Sequence, residues 1–364
     1  MKVINVVGAR PNFIKVAPLM KEMRRYPQVL PVLIHTGQHY DTMMSEQFFT
    51  ELEISPPDFN LGVGSGSHAV QTAEVMKRLE PILLAEQPDL VLVVGDVNST
   101  LAAALTAVKL GIPVAHVEAG LRSFDRTMPE EINRLLTDAI ADFLFVTEES
   151  GWQNLMREGI EPGKIHFVGN VMIDALQMFR PKWEHSSIFK RLALEDDRPY
   201  GVVTLHRPSN VDDPVILMNW LQALQELARQ LPLIFPVHPR VRLQLRALGY
   251  PPSHREGIAY LDPLGYLDFI ALVSQARLVL TDSGGLQEET TVLGVSCLTL
   301  RNATERPVTI THGTNRVIGT DPARIASEAQ WALNRLPQPV EPPPLWDGQA
   351  SQRIVNLLLK QVGK

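Results

Sequence analysis

The chain has 364 residues, a hydrophobic fraction of 45% and a formal net charge of −6. This length favours two domains with sizeable cores, and the negative net charge argues against broad nucleic-acid binding, which needs a basic surface. A single cysteine, Cys297, excludes an internal disulfide, and no segment resembles a signal peptide or a membrane span, so we expect a cytoplasmic protein without membrane contact.

Short apolar runs alternate with longer amphipathic runs along the first half of the chain. Runs rich in valine and isoleucine predict strands at residues 3–7, 32–35, 90–94, 114–117, 143–146 and 165–168. Amphipathic runs between them predict helices at residues 13–25, 69–86, 99–110 and 130–141. This alternation is typical of βαβ units and of a parallel sheet.

The alternation pauses near residue 170, and the segment 180–199 is charged and irregular, so we place a domain boundary there. The second half then repeats the pattern, with strands at 201–205, 233–237, 258–261 and 278–280 and helices at 214–229, 267–275 and 286–293. A proline-rich linker over residues 337–344 precedes a last helix at 351–359.

These elements predict an α/β protein with two Rossmann-like, doubly wound domains. We expect the first domain to span residues 1–175 together with a helix at about 350–364, and the second to span 176–345. In such sheets the ligand lies at the carboxyl ends of the strands, which here places the site in a cleft between the two domains.

The turn after the first strand, residues 8–15, reads Gly-Ala-Arg-Pro-Asn-Phe-Ile-Lys. It lacks the glycine-rich dinucleotide fingerprint. Arg10 and Lys15 flank a helix start, where free N–H groups favour an anion, so they are candidates for binding a pyrophosphate. The alternative interpretation is an ordinary pair of solvated basic residues.

A second anion-binding signal lies between a strand and a helix at Ser283, Gly284 and Gly285. Glycine lets a backbone approach a ligand closely, and the helix start supplies N–H donors. Glu289 suits a ribose hydroxyl, although an acidic residue there is also ordinary compensation of the helix dipole. Arg306 is a further candidate for the diphosphate, because a guanidinium matches phosphate oxygens in pairs.

Candidate acids and bases follow several predicted strands. Asp96 and Glu118 come after two neighbouring strands, Glu130 opens a helix, and His206 follows the first strand of the second domain. Several carboxylates at one edge suit general acid–base work, whereas each taken alone is explained by capping or helix-dipole compensation. The histidines show no metal-ligand spacing and there is no P-loop lysine motif, so we expect no metal and no nucleotide cofactor.

Together these residues resemble the non-hydrolysing UDP-N-acetylglucosamine 2-epimerases. The matching runs lie in the family's order at residues 8–15, 36–39, 95–100, 116–122, 129–134, 204–207, 236–239, 282–289 and 304–307. The resemblance covers nearly the whole chain. It implies a GT-B fold, in which two Rossmann-like domains face a central cleft and the C-terminal helix returns to the first domain, and it implies a homodimer.

The resemblance also implies residue roles. UDP would be bound by Arg10, Lys15, Phe269, Ser283, Gly284, Gly285, Glu289 and Arg306, in the second domain above all. Catalytic roles fall to Asp96, Glu118, Glu130 and His206. A possible regulatory site comprises Gln38, His39 and His238.

The implied chemistry is elimination and re-addition of UDP through a 2-acetamidoglucal. No carbonyl activates the proton on C2, so loss of UDP from C1 must make that proton acidic. We expect Asp96 and Glu130 to exchange the C2 proton, Glu118 to orient the sugar and His206 to assist phosphate departure. No hydride moves, so the partner is a UDP-N-acetyl sugar and NAD is not required.

Some positions depart from the family's usual residues. Ala9, Asn12 and Val308 stand where threonine, glutamate and glutamate are common, and residues 67–68 read Ser-His in place of an Arg-Gln pair used in substrate activation. These changes leave open whether activation is retained. They also leave open a modified UDP-N-acetyl sugar as the substrate.

Other functions compete with this interpretation. A hydrolysing epimerase would release UDP and N-acetylmannosamine, and residues alone separate it poorly from the non-hydrolysing reaction. A GT-B glycosyltransferase shares the UDP site but does not need the carboxylate cluster, and a catalytically silent UDP-sugar sensor would not need it either. An NAD-using epimerase is disfavoured by the missing fingerprint.

Overall fold

The structure is a computed structural model that describes residues 1–38, 51–194, 198–250, 257–334 and 341–361. The chain divides into two compact units, Met1–Met178 with Pro344–Lys364, and Phe179–Pro343. Within the described ranges, no helix combines the length and the apolar character that crossing a membrane would require.

The first unit is built on a parallel sheet with seven strands among the described residues. These are β1 (Lys2–Val7), β2 (Leu30–His35), β3 (Phe59–Asn60), β4 (Leu90–Val94), β5 (Val114–Ala119), β6 (Phe143–Val146) and β7 (Ile165–Phe167). They lie in the order β3-β2-β1-β4-β5-β6-β7. The helices of this unit before the boundary are α1 (Arg10–Met23), α2 (His68–Glu86), α3 (Asn98–Lys109), α4 (Pro129–Ile140), α5 (Glu149–Arg157) and α6 (Val171–Met178).

The second unit repeats this plan with six parallel strands in its described part. They are β8 (Gly201–Thr204), β9 (Leu233–Pro236), β10 (Ile258–Leu261), β11 (Leu278–Thr281), β12 (Cys297–Thr299) and β13 (Asn315–Val317), in the order β10-β9-β8-β11-β12-β13. Its helices are α7 (Arg180–Trp183), α8 (Ile188–Arg191), α9 (Pro208–Val211), α10 (Pro214–Ala228), α11 (Pro239–Ala247), α12 (Tyr266–Ser274), α13 (Gly284–Leu293), α14 (Val308–Thr311) and α15 (Arg324–Asn334). The last helix of the chain, α16 (Ala350–Gln361), belongs to the first unit.

The central strands are buried on both faces, which explains their composition. Every residue of β4 and β5 is buried, and so is every residue of β1 after Lys2. Helices cover both faces of a parallel sheet, so its strands read as continuous apolar runs instead of alternating ones. Cys297 lies buried in β12, and this burial raises the pKa of its thiol to about 12. Cys297 is therefore a packing residue of the second core.

In each sheet the strand order changes direction at one central pair of strands. β1 pairs with both β2 and β4, and β8 pairs with both β9 and β11. At such a switch point the connections leave to opposite faces, and a crevice opens beyond the carboxyl ends of the two central strands. The turns that follow β1, β4, β8 and β11 are therefore the places to look for a site.

The predicted doubly wound α/β class is confirmed, whereas several short elements were missed. The segment 180–199 was predicted to be irregular, but it contains the two single-turn helices α7 and α8. β12 and β13 span three residues each, which is too short to display a pattern. Residues 335–340 of the proline-rich linker lie outside the described part of the chain.

The last helix docks on the first unit, as the sequence predicts. α16 packs against α1 and α6. The first turn of α16 is capped by Asp174 of α6. One carboxylate oxygen of Asp174 accepts from the Ala350 N–H at 3.1 Å. The other accepts from the N–H and the hydroxyl of Ser351 at 2.6 and 2.5 Å. Just before the helix, the Trp346 indole donates to the Thr147 carbonyl at 2.9 Å.

We expect Asp174→Asn to destabilise the first unit. An amide has one acceptor oxygen, so one set of buried donors at the start of α16 loses its partner, at a cost of about 1–3 kcal/mol. Urea titration of the free energy of unfolding measures this change. The exposed Glu161→Ala is the control, and an equal effect of the two substitutions would contradict the capping role.

Candidate functional site

The turn after β1 is packed against the start of α3. The Asn12 side chain accepts from the N–H groups of Gly8 and Ala9 at 3.2 and 3.0 Å and donates to the Val94 carbonyl at 3.0 Å. A Cβ atom on Gly8 would lie 2.2 Å from the Ser99 hydroxyl oxygen. The turn is therefore fixed to β4, and its first position requires glycine because no side chain fits there.

Glu118 lies at the end of β5 in an unusual backbone conformation. Its φ is +76°, in the left-handed region that is costly for any residue other than glycine or asparagine. The register between β5 and β6 shifts at this point, which marks a bulge. Such strain is concentrated at functional sites, where the surrounding structure holds it in place.

The Glu118 carboxylate forms a buried ion pair with Lys15 of α1. Gly95 makes room for this pair, since a Cβ atom there would lie 3.4 Å from both charged groups. Lys15 was expected to bind UDP, and the structure places its ammonium on a catalytic candidate. The two residues are 103 positions apart, so only the fold brings them together.

Asp96, in the turn after β4, is held by Arg134 of α4. The other arm of that guanidinium donates to Glu131 at 2.9 Å. Glu131 in turn accepts from the N–H and hydroxyl of Ser123, both at 2.9 Å, and from the Phe124 N–H. The sequence pattern predicted no role for Arg134 or Glu131. They are the third and sixth residues of α4, and their spacing of three on one helix face is a signal that could have found the pair.

Two further candidates lie at helix starts. Glu130 is half-buried in the first turn of α4, and no hydrogen bond or ion pair joins its carboxylate to another part of the described chain. Arg10 is the first residue of α1 and is also half-buried. Asp96, Glu118 and Glu130 thus lie on or beside β4, β5 and α4, which are neighbours in the first unit.

In the second unit, Asp282 organises the turn after β11. It is fully buried, and its carboxylate accepts from the backbone N–H groups of His206 and Arg207 at 3.0 and 2.9 Å and from the Asn210 amide at 3.1 Å. The ring nitrogen Nδ1 of His206 lies 2.7 Å from the same carboxylate. Burial raises the pKa of Asp282, but His206 and these N–H donors outweigh it and lower the pKa to about 2.

The start of α13 lies against Arg306. A Cβ atom on Gly284 would lie 2.5 Å from a guanidinium nitrogen of Arg306, so a side chain at this position would displace that guanidinium. The Nε of Arg306 donates to the buried Glu288 at 2.6 Å, and Glu305 lies 3.5 Å from another guanidinium nitrogen. Ser283 caps the helix without a side-chain hydrogen bond to its N–H groups.

The remaining predicted site residues lie on several different elements of the two units. In the second unit, Phe269 is half-buried on α12, Glu289 is buried on α13, and the exposed His238 precedes α11, with its ring centroid 5.8 Å from that of His206. In the first unit, the Gln38 side chain is buried and accepts from the Ser99 hydroxyl at 2.7 Å. His39 lies outside the described residues.

No cluster of three or more histidine, cysteine, aspartate or glutamate side chains that could hold a metal ion occurs among the described residues.

The chain is similar to known proteins over nearly its whole length. Residues 21–359 match the UDP-N-acetylglucosamine 2-epimerase family. The chain belongs to this family of isomerases. The UDP-N-acetylglucosamine 2-epimerase of Methanocaldococcus jannaschii is 41% identical over 366 residues, covering 98% of this chain and 99% of that protein.

Two further similarities bear on fold and substrate. The crystal structure of the M. jannaschii enzyme in complex with UDP-GlcNAc and UDP aligns with a TM-score of 0.92 at 40% identity, covering 99% of this chain and 100% of that one. The GT-B-like fold class predicted from the sequence is thereby confirmed. The UDP-2,3-diacetamido-2,3-dideoxy-D-glucuronate 2-epimerase of Pseudomonas aeruginosa is 40% identical over 364 residues, covering 99% of this chain and all of that protein.

The depressed pKa of Asp282 predicts an acid-sensitive second unit. The pKa of Asp282 is lowered from 3.8 to about 2 in the folded protein. The ionised carboxylate therefore contributes fully to the free energy of unfolding above pH 3.8, and this contribution is lost as the pH falls toward 2. The shift corresponds to about 2 kcal/mol. We expect Asp282→Asn to be less stable than the native protein at pH 7, by a difference that shrinks over this interval.

Urea unfolding between pH 6 and pH 2 measures that difference, with the exposed Asp321→Asn as the control. A destabilisation by Asp282→Asn that stays constant across the whole pH range would contradict the ion-pair assignment.

Proposed function

We propose that this protein inverts C2 of a UDP-2-acetamido sugar, interconverting UDP-N-acetylglucosamine and UDP-N-acetylmannosamine. The observation that carries the proposal is the pair of carboxylates, Asp96 and Glu118, at the ends of the adjacent strands β4 and β5, each held by its own cation. The relatives named as epimerases of this substrate, or of a diacetamido variant, support the same class of reaction.

The C2 proton of the substrate is only weakly acidic, because no carbonyl adjoins C2. Cleavage of the bond between C1 and the UDP oxygen develops positive charge at C1 and makes the C2 proton acidic. A carboxylate then removes that proton and leaves a 2-acetamidoglucal. Return of a proton to the opposite face, followed by re-addition of UDP, completes the inversion without a redox cofactor.

The first unit would supply the proton-transfer groups. Arg134 and Lys15 stabilise the ionised forms of Asp96 and Glu118, which keeps both carboxylates able to accept a proton. The Glu130 carboxylate, which has no partner in the described structure, is suited to exchange a proton with the substrate. We propose that Asp96 and Glu130 serve the two faces of C2 and that Glu118 orients the sugar.

The second unit would stabilise the departing diphosphate. The N–H groups at the start of α13, with Ser283, Gly284 and Gly285, form a site for phosphate oxygens. The Arg306 guanidinium lies directly beside this helix start and adds positive charge. His206 is oriented by Asp282 through Nδ1, so its other ring nitrogen can donate to a phosphate oxygen. Phe269, Glu289 and Arg10 remain proposed contacts of the nucleotide.

The direct test is proton NMR of the purified protein with UDP-N-acetylglucosamine in D2O, without added cofactor. The proposal predicts UDP-N-acetylmannosamine carrying deuterium at C2. Free N-acetylmannosamine with UDP would identify the hydrolysing reaction instead. If UDP-N-acetylglucosamine is unchanged while a UDP-2,3-diacetamido-glucuronate is inverted, the substrate is the modified sugar, and if neither reacts the proposal is wrong.

We expect Asp96→Asn to lower the rate of inversion by about 10²–10⁴, the range for loss of a general acid or base. UDP affinity should be unchanged, because Asp96 is assigned to the sugar and not to the nucleotide. Initial rates and calorimetric titration with UDP measure the two quantities, with Asp321→Asn as the matched control. Native rates in Asp96→Asn would remove this residue from the mechanism.

A further inference from the structure

A fully buried histidine joins the turn after β4 to α4. His116 is on β5, two residues before Glu118, and is 0% exposed. Its Nε2 is 2.8 Å from the carbonyl oxygen of Gly95, and its Nδ1 is 2.6 Å from a carboxylate oxygen of Asp138 on α4. Both ring nitrogens are therefore occupied by groups of the protein.

Both partners of the ring are hydrogen-bond acceptors. A backbone carbonyl can only accept a hydrogen bond. Burial raises the pKa of Asp138, but the attraction of His116 and Arg122 outweighs it and holds that pKa below its ordinary value, so the carboxylate is ionised and also only accepts. Each ring nitrogen of His116 therefore faces an acceptor, and contacts on both sides fix the ring between the Gly95 carbonyl and Asp138.

These bonds join three segments of the first unit. The Gly95 carbonyl belongs to the residue before Asp96, in a turn where Gly95 has a φ of +70°. The second oxygen of Asp138 accepts from the Gly120 N–H at 3.0 Å, so His116 and Asp138 bracket the bulge that carries Glu118. Asp138 itself lies on α4, the helix whose second residue is Glu130.

We infer that His116 and Asp138 are positioning residues that set the relative placement of the carboxylates Asp96, Glu118 and Glu130. This inference rests on the proposed function. The pair contacts backbone groups beside the carboxylates. It therefore determines the positions of the carboxylates and not the affinity of the protein for UDP. Displacement of a reacting group by about 1 Å can cost 10²-fold in rate.

Two reactions at C2 distinguish positioning from simple stability. Deuterium exchange into recovered UDP-N-acetylglucosamine requires one carboxylate to remove and return a proton on the same face. Inversion requires a second carboxylate placed correctly on the opposite face. A loss of folded protein lowers both initial rates by the same factor, whereas a shift of one carboxylate relative to another lowers inversion more.

The experiment measures both initial rates in D2O for the native protein, His116→Gln and His116→Asn. The amide of either variant carries both donors on one nitrogen, so it cannot contact Gly95 and Asp138 as the two ring nitrogens do. We expect each variant to raise the ratio of exchange to inversion by about tenfold, within the loss that misplacement can cause, with KM unchanged. Where a His116 variant does not fold, Asp138→Ala takes its place, because alanine can contact neither His116 nor the Gly120 N–H.

Asp174→Asn is the matched control, since it also removes a buried carboxylate from the first unit but lies under α16. It should leave the exchange-to-inversion ratio at the native value. If the His116 and Asp138 variants lower both rates equally, the pair is only structural and the inference is wrong. If the native protein catalyses neither reaction, the proposed function fails, and this inference fails with it.

Discussion

The parallel pairing of β1 with β4 is the constraint on which the first unit depends. It is in register from Val3 with Leu90 to Val6 with Val93, and it brings the turns after both strands to one edge. Asn12 then bonds to the carbonyl at the end of β4, which fixes the start of α1. Because α1 starts there, Lys15 reaches Glu118 across the end of β4. The second unit is arranged in the same way. β8 pairs with β11, and Asp282 joins the turns that follow these two strands.

Charge at these strand ends is held in place by contacts within the protein. Buried ion pairs contribute little stability compared with apolar packing, because removing two charges from water is costly. Such pairs at Glu118 and Asp282, and the partly exposed pair at Asp96, provide a defined orientation instead. Pre-oriented groups need no rearrangement as charge develops in a transition state. The left-handed backbone of Glu118 is consistent with this, because the surrounding contacts must offset its strain.

The sequence predicts the framework well and the side-chain partnerships poorly, for physical reasons. The strands β4, β6 and β10 were predicted to the residue because each is a short apolar run bounded by turns. Local composition cannot report that Lys15 pairs with Glu118, because that contact depends on the strand order. It likewise cannot report that His116 spans Gly95 and Asp138. The candidate residues were found by type and by their place after strands, whereas their charges and orientations follow from packing.

The proposed inversion requires the bond between C1 and UDP to break and re-form. The most direct measurement uses UDP-N-acetylglucosamine with ¹⁸O in the bridge between C1 and the β-phosphate. If UDP departs and stays bound, rotation of the free β-phosphate moves the label into non-bridging positions at a rate comparable to inversion, which ³¹P NMR detects. Inversion at C2 with the label retained entirely in the bridge would contradict the mechanism.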